Sequence, residues 1–249
     1  MATFIVGRRV QTIARKCIRQ SSTQTQNLQD RLRQLMIHCA QPVAIVTTRL
    51  TPPGHDRQKQ SDAHHFHGAT ISSFSSIAMY PHPLIAFSLQ LPSRMADALH
   101  KGHTAADVPE TLPRNMHPHF VINLLSTTQP DIARRFSRPD LYPHPFSHDG
   151  KGGQSIREER LTQTRDGQPM FQESIGCISC AVVHSLRLDG RVGGDAEDDT
   201  DAITSELFIA RVIRMESVKN EKEERMPLVY HRKEFTTVQA DAPKAEKQP

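Results

Sequence analysis

Two periods alternate along this chain. In "LQDRLRQLMIHCA", Leu28, Leu32, Leu35, Met36 and Cys39 recur at three- and four-residue intervals, which predicts an amphipathic helix ending at Pro42. "PVAIVTT" then reads as a β-branched strand. Residues 51–66 are polar and rich in Pro and His, an insertion between strands. The stretch 68–76 begins as a strand and turns into hydroxyls. "PLIAFSLQL" is the next strand, and "PSRMADALH" a short helix with Ser93 as its N-cap. After a loop over 101–118 come the strand "HFVINLLS" and the helix "TQPDIARRFS". Residues 138–169 read as long surface loops. "ESIGCISCAVVHSLRL" gives a strand or two, "SELFIARVIRMESV" a long strand and "PLVYHRKEFTTV" the last one. Many strands, few helices and no internal repeat predict a mainly β barrel with flanking helices.

The oddity in this pattern is "HGATISSFSSIAMYPHPL", residues 67–84. Thr70, Ser72, Ser73, Ser75 and Ser76 crowd five hydroxyls into seven residues where a core strand should continue. A Ser-rich turn would explain them by composition alone. One strand later, however, Ser93 and Arg94 open a helix, and a helix N-terminus beside a cation suits a phosphate. Hydroxyls and backbone N–H groups at a strand end can hold the polar edge of a flat heterocycle.

Composition changes the picture at the termini. Of the 249 residues the formal net charge is +4, but Arg8, Arg9, Arg15, Lys16 and Arg19 all precede the first acid, Asp30. Without those five the remainder is −1, so the basic pI does not imply a nucleic-acid surface, and zero Trp with three Tyr leaves little for base stacking. Residues 1–26, Arg-rich, hydroxyl-rich and acid-free, have the composition of a mitochondrial presequence. The expectation is a mature protein in the mitochondrial matrix, a folded region over 27–239 and a disordered tail over 240–249. No apolar run reaches the roughly 20 residues that span a bilayer. Asp195, Glu197, Asp198, Asp199 and Asp201 read as a solvated acidic loop.

Several chemistries lack their parts. No G-x-G-x-x-G follows a strand, and there is no P-loop and no G-x-S-x-G. Cys177 and Cys180 form a C-x-x-C, but on a strand positions i and i+3 face opposite ways, so the thiols read as small buried hydrophobes. His64, His65 and His67 carry no further ligand spacing and read as loop histidines, so no metal is expected.

The order "QPVAIVTT", "HGATISSFSSIAMYPHPLIAFSL", "PSRMADAL", "FVINLLSTTQPDIARRFS", "GCISCAVV", "ELFIARVIRM", "PLVYHRKEF" resembles the flavin reductase-like family, from about Leu28 to Val238. The resemblance implies an FMN-binding split β-barrel, a homodimer with FMN near the subunit interface, and reduction by NAD(P)H. It implies that Thr70, Ser72, Ser73 and Phe74 line the isoalloxazine and ribityl chain, with Leu89 and Gln90 beside them. Ser93 and Arg94 match the phosphate-binding helix start, and Tyr230, His231 and Arg232 match the final strand near the flavin. Asn123 sits in the matching "FVINLLS" strand, where a backbone-bonding role competes with ligand contact.

Two departures stand out. The family's Gly-Asp-His is replaced by Ile203-Thr204-Ser205, and its Asp-Pro-Pro-Leu by Pro81-His82-Pro83-Leu84. The lost histidine bears on nicotinamide binding more than on fold or flavin. The expected function is an NAD(P)H-dependent flavin reductase passing hydride to flavin N5, with no catalytic side chain identified and a flavin-accepting monooxygenase as a candidate partner. The alternative is a non-catalytic, FMN-binding or cofactor-free subunit of a mitochondrial assembly.

Overall fold

The computed structural model describes residues 27–50, 65–104, 113, 116–146, 160–188, 205–218 and 225–238. The segment expected to be a presequence, the 51–64 part of the insertion, the acidic segment and the expected tail over 240–249 lie outside the described residues. The described residues form twelve strands and three helices in chain order. They are α1 (27–37), β1 (Gln41–Pro42), β2 (Ala44–Arg49), β3 (Phe66–Ile71), β4 (Ser75–Ala78), β5 (Leu84–Gln90), α2 (Arg94–Thr104), β6 (Phe120–Leu124), α3 (Pro130–Ser137), β7 (Leu161–Gln163), β8 (Pro169–Phe171), β9 (Gly176–Leu188), β10 (Ser205–Glu216), β11 (Leu228–His231) and β12 (Glu234–Thr237).

The main sheet is antiparallel, in the order β3-β2-β6-β9-β10-β5-β4; β1-β11-β12 and β7-β8 form two small sheets. Its curvature shows in one contact. Phe87 on β5 and Phe120 on β6 stand three strands apart, about 14 Å in a flat sheet. Their ring centroids are 5.9 Å apart, and Phe87 also stacks on Phe208 at 5.6 Å. The sheet therefore curls around a shared interior of Ala44, Val46, Ile71, Ile122, Cys180 and Ala210, which α2 seals with Met95, Ala96 and Leu99. Among the described residues no pairing joins the edge strands β3 and β4, so the barrel stays split there.

The opposite face of β2 and β3 buries Ile45 and Phe66 under α3, through Ile132, Ala133 and Phe136. Gly68 allows this close approach, since a Cβ there would lie 2.8 Å from the Phe136 ring. A separate unit holds α1, whose Leu28, Leu32, Leu35 and Met36 are exposed, together with residues 231–234; within it the Arg232 N–H donates to the Ile37 carbonyl at 2.9 Å.

Three sequence expectations shift. The α2 helix runs on to Thr104 rather than stopping near His100, because Gly102 lets His119 pack within 2.8 Å of where a Cβ would be. The last strand is a hairpin, with Arg232 and Lys233 at positive φ in its turn. The loops expected over 138–169 include β7 and the start of β8. The cysteines do face opposite ways. Cys180 lies in the barrel interior, and Cys177 on the other face with Val121 and Met170. Burial pushes the Cys177 thiol up to about 12 and raises Cys180 as well. No helix among the described residues is long and apolar enough to cross a membrane.

Candidate functional site

The hydroxyl cluster divides by what each oxygen touches. Thr70 points to the α3 side of β3 and donates to the Ala133 carbonyl at 2.8 Å. Ser73 sits in the break between β3 and β4, where it accepts from the Ser88 N–H at 2.8 Å and donates to the Ser88 carbonyl at 3.2 Å. That pair ties the break to β5. Ser72, Ser75 and Ser76 are exposed, and Phe74 is half-buried against the barrel interior. The chain thus interrupts its strand with hydroxyls because Ser73 replaces ladder bonds lost at the split.

The same edge carries the helix start. Leu89 alternates inward to the core, so its side chain is closed to a ligand, while Gln90 is exposed opposite Ser205. Ser93 caps α2: its Oγ accepts from the Ala96 N–H at 3.2 Å, and its carbonyl from the Asp97 N–H at 3.1 Å. The exposed Arg94 guanidinium donates from Nη1 to the Pro143 carbonyl at 2.8 Å. That leaves its other N–H groups available and aims a positive charge beside the helix N-terminus. Ser73 thus ties the break after β3 to β5, whose end at Gln90 leads directly into Ser93 and Arg94 at this edge of the split barrel.

Other expected site residues lie elsewhere. Asn123 is fully buried. It donates from Nδ2 to the Ile45 carbonyl and Thr47 Oγ1, both at 3.0 Å, and accepts at Oδ1 from the Phe171 N–H at 2.9 Å and Cys177 Sγ at 3.2 Å. Every polar site of its amide is taken up by the protein, so it is a core cross-link and not a flavin contact. Tyr230 belongs to the small β1-β11-β12 sheet and leans on Phe235 at 5.5 Å, over which Arg134 of α3 lies at 5.6 Å. His231 ends β11 just before the turn.

The sequence reading took His67 for a loop histidine and passed over His144 and Glu206. His67, only 8 % exposed on β3, has its pKa lowered to about 4, first by burial and then by the charges of Arg94 and His144. His144 lies in the turn that supplies the Pro143 carbonyl. Glu206, 2 % exposed at the start of β10, meets His100 Nε2 of α2 at 3.0 Å. The signal for His144 was present in "YPHPF", a histidine between two prolines.

The sequence profile of the flavin reductase like domain matches residues 36–239. The chain belongs to the flavin reductase-like family. The family's fold recurs in solved structures of low identity. A flavin reductase domain protein from Arthrobacter sp. FB24 is 15% identical with a TM-score of 0.54, covering 86% of this chain and 99% of that one. The NADH:FAD oxidoreductase of Streptomyces globisporus C-1027, solved with NAD and FAD fragments, is 19% identical with a TM-score of 0.52, covering 88% and 95%. The styrene monooxygenase flavin reductase of Pseudomonas putida S12 is 19% identical with a TM-score of 0.52, covering 84% and 98%. Membership makes this chain a flavin reductase-like oxidoreductase, and the donors on its split edge suit a flavin's phosphate and polar rim. Main-chain N–H groups, hydroxyls and one guanidinium form a set for an oxyanion.

Proposed function

We propose that this protein is an FMN-binding reductase that draws reducing equivalents from NADH or NADPH. The observation that carries the reading is the capped α2 N-terminus with exposed Arg94, which follows directly on the strand end at Gln90 to which Ser73 is tied through Ser88. A flavin bound there supplies hydride acceptance from a nicotinamide and delivery to an acceptor. The chain's part is orientation. Ser93 holds the first turn of α2 open-ended toward an anion, Arg94 neutralises it, and Ser72 with Gln90 meets the ribityl chain and ring edge. Ser73 keeps that edge in place through Ser88. Asn123 and Leu89 act only by supporting the barrel.

The test is flavin fluorescence titration. Arg94→Ala is expected to weaken FMN about ten- to a hundredfold, because a charge-assisted bond contributes about 1.5–3 kcal/mol. Riboflavin, without the phosphate, should bind parent and variant alike. A variant that holds FMN as tightly as the parent refutes this phosphate site. A parent that binds no flavin and oxidises no NADH or NADPH leaves a scaffold subunit as the reading.

We also propose a homodimer that joins through the outer face of β9, β10 and β5. Leu186 pairs with Leu207, and Ile209 with Ala86, on the face opposite Phe208 and Ala210. Leu186 and Leu188 are exposed. An apolar sheet face of this kind asks for a cover. Ser88 and Gln90 share it by alternation, so a second copy would border the flavin edge. Light scattering should give twice the chain mass, and Ile209→Asp should halve it; a parent already monomeric at micromolar concentration contradicts the dimer. The reduced flavin's consumer is proposed to be a monooxygenase-type partner. The matrix location predicts that N-terminal sequencing of native protein starts between about residues 20 and 30, whereas an intact Met1 or Ala2 rules it out.

A further inference from the structure

We infer that Glu206 is a positioning residue for the flavin phosphate, a staple that holds both ends of the segment carrying the phosphate donors. The inference rests on the reading of the α2 N-terminus as the phosphate site. The segment runs from Leu89 to His100, through Gln90, Ser93 and Arg94. At its first end Leu89 faces Glu206 across the antiparallel β5–β10 ladder, and Gln90 faces Ser205. At its other end His100 Nε2 meets Glu206 Oε1 at 3.0 Å. One residue of β10 therefore holds both ends, the first at its backbone and the second at its side chain.

Glu206 is buried on the inward face of β10, in alternation with Phe208 and Ala210 and opposite the buried Leu89. A carboxylate in such a row costs more than an apolar side chain would, so closing the barrel does not explain it. A carboxylate only accepts, so the imidazole carries a proton on Nε2. The His100 ring leans on Phe208, with 5.5 Å between centroids. Among the described residues His100 is the side-chain partner of Glu206; Arg187, its cross-strand neighbour on β9, is exposed. Between the two ends, Ser93 Oγ accepts from the Ala96 N–H and Arg94 donates to the Pro143 carbonyl, so the course of this segment places both the cap and the cation. Met95, Ala96 and Leu99 press α2 onto the barrel interior. Apolar contact is non-directional, whereas the hydrogen bond to Glu206 fixes the helix against sliding and rotation. Closing a loop of about a dozen residues in this way removes freedom that a bound phosphate would otherwise have to remove.

The test pairs amide hydrogen exchange of the flavin-free full chain with fluorescence titration by FMN and riboflavin. The proteins are the parent, Glu206→Leu, Glu206→Gln, His100→Leu and Arg94→Ala, each checked for a cooperative thermal transition. Glu206→Leu keeps the inward row apolar and cuts the tie. It is expected to speed exchange in α2 about tenfold relative to β6, and to weaken FMN about three- to tenfold with riboflavin changed less than about twofold. His100→Leu, at a half-exposed position, should do the same and carries the test if Glu206→Leu does not fold. Glu206→Gln keeps an oxygen that accepts from Nε2–H and should recover most of the loss. The inference falls if cutting the tie leaves α2 exchange and FMN affinity at parental values, if both flavins weaken equally, or if Glu206→Gln recovers nothing. A parent that binds FMN no better than riboflavin, with Arg94→Ala unchanged, refutes the α2 phosphate site itself, a failure that exchange rates measured without flavin do not share.

Discussion

Acidification from about pH 7.5 to about pH 5 is expected to remove about 4 kcal/mol of folding stability, through two buried histidines. Both His67 and His119 have pKa values lowered to about 4 from an unfolded 6.5. For His119 the first cause is burial, opposed by its hydrogen bond to the His117 carbonyl and assisted by the charges of His103 and His117. Above the unfolded value both states are neutral and neither residue contributes. As the pH falls below it, the unfolded chain takes up protons that the folded chain refuses. Stability is therefore lost between about 6.5 and 4, and levels off once the folded state also titrates. Each histidine accounts for about 2 kcal/mol at pH 5. Domains have only about 5–15 kcal/mol in total. Urea unfolding across this range should show the midpoint falling with pH, and His119→Leu should remove about half of the slope whatever it does to the absolute stability. A flat profile for the parent would mean that neither imidazole is shielded in solution.

Asn123→Ala should destabilise the protein by about 3–4 kcal/mol, since the truncation leaves buried partners unsatisfied at about 1–3 kcal/mol each. The amide joins four elements. Its oxygen holds the Phe171 N–H of β8, its nitrogen holds Ile45 and Thr47 of β2, and Cys177 of β9 donates to it from beside. Thr47 in turn donates to the Pro169 carbonyl at 2.5 Å, so the short β8 strand rides on this one network. Asn123→Asp should be worse, because its carboxylate cannot donate to the Ile45 carbonyl and brings a charge into a fully buried site. Thermal midpoints should fall by about 6–16 °C for the alanine variant, at about 2–4 °C per kcal/mol in a domain of this size. Flavin affinity of the folded fraction should not change, because no atom of Asn123 faces the split edge. A loss below about 1 kcal/mol would show that the network is dispensable, and a selective loss of flavin binding would restore Asn123 to the site.

Asn123 and Arg94 also show how unevenly the site could be seen in one dimension. Arg94 follows a good N-cap at the start of an amphipathic helix, so its place beside a helix N-terminus is a local fact. Asn123 lies in an apolar strand, where a polar side chain serves a ligand or the fold equally well. The choice depends on Phe171, 48 residues away, in a three-residue strand that the sequence pattern did not single out.

The alternation of apolar and polar residues was enough to locate β2, β5, β6, β9 and β10 and to set Cys177 and Cys180 on opposite faces, because side-chain direction in a strand is fixed by the backbone alone. Capping by Ser93 was equally legible, since it involves only the next few residues. Everything that depends on two distant segments meeting was decided by the tertiary structure. Thr70 and Ser73 are alike in sequence, yet one is bound to α3 and the other to β5, because the split falls between them. The α2 helix outlasts its expected end because Gly102 admits His119. The Pro143 carbonyl meets Arg94 only when the turn after α3 folds back across the start of α2. Local periodicity carries no term for such meetings; they follow from how the curled sheet and its two covering helices exclude water together.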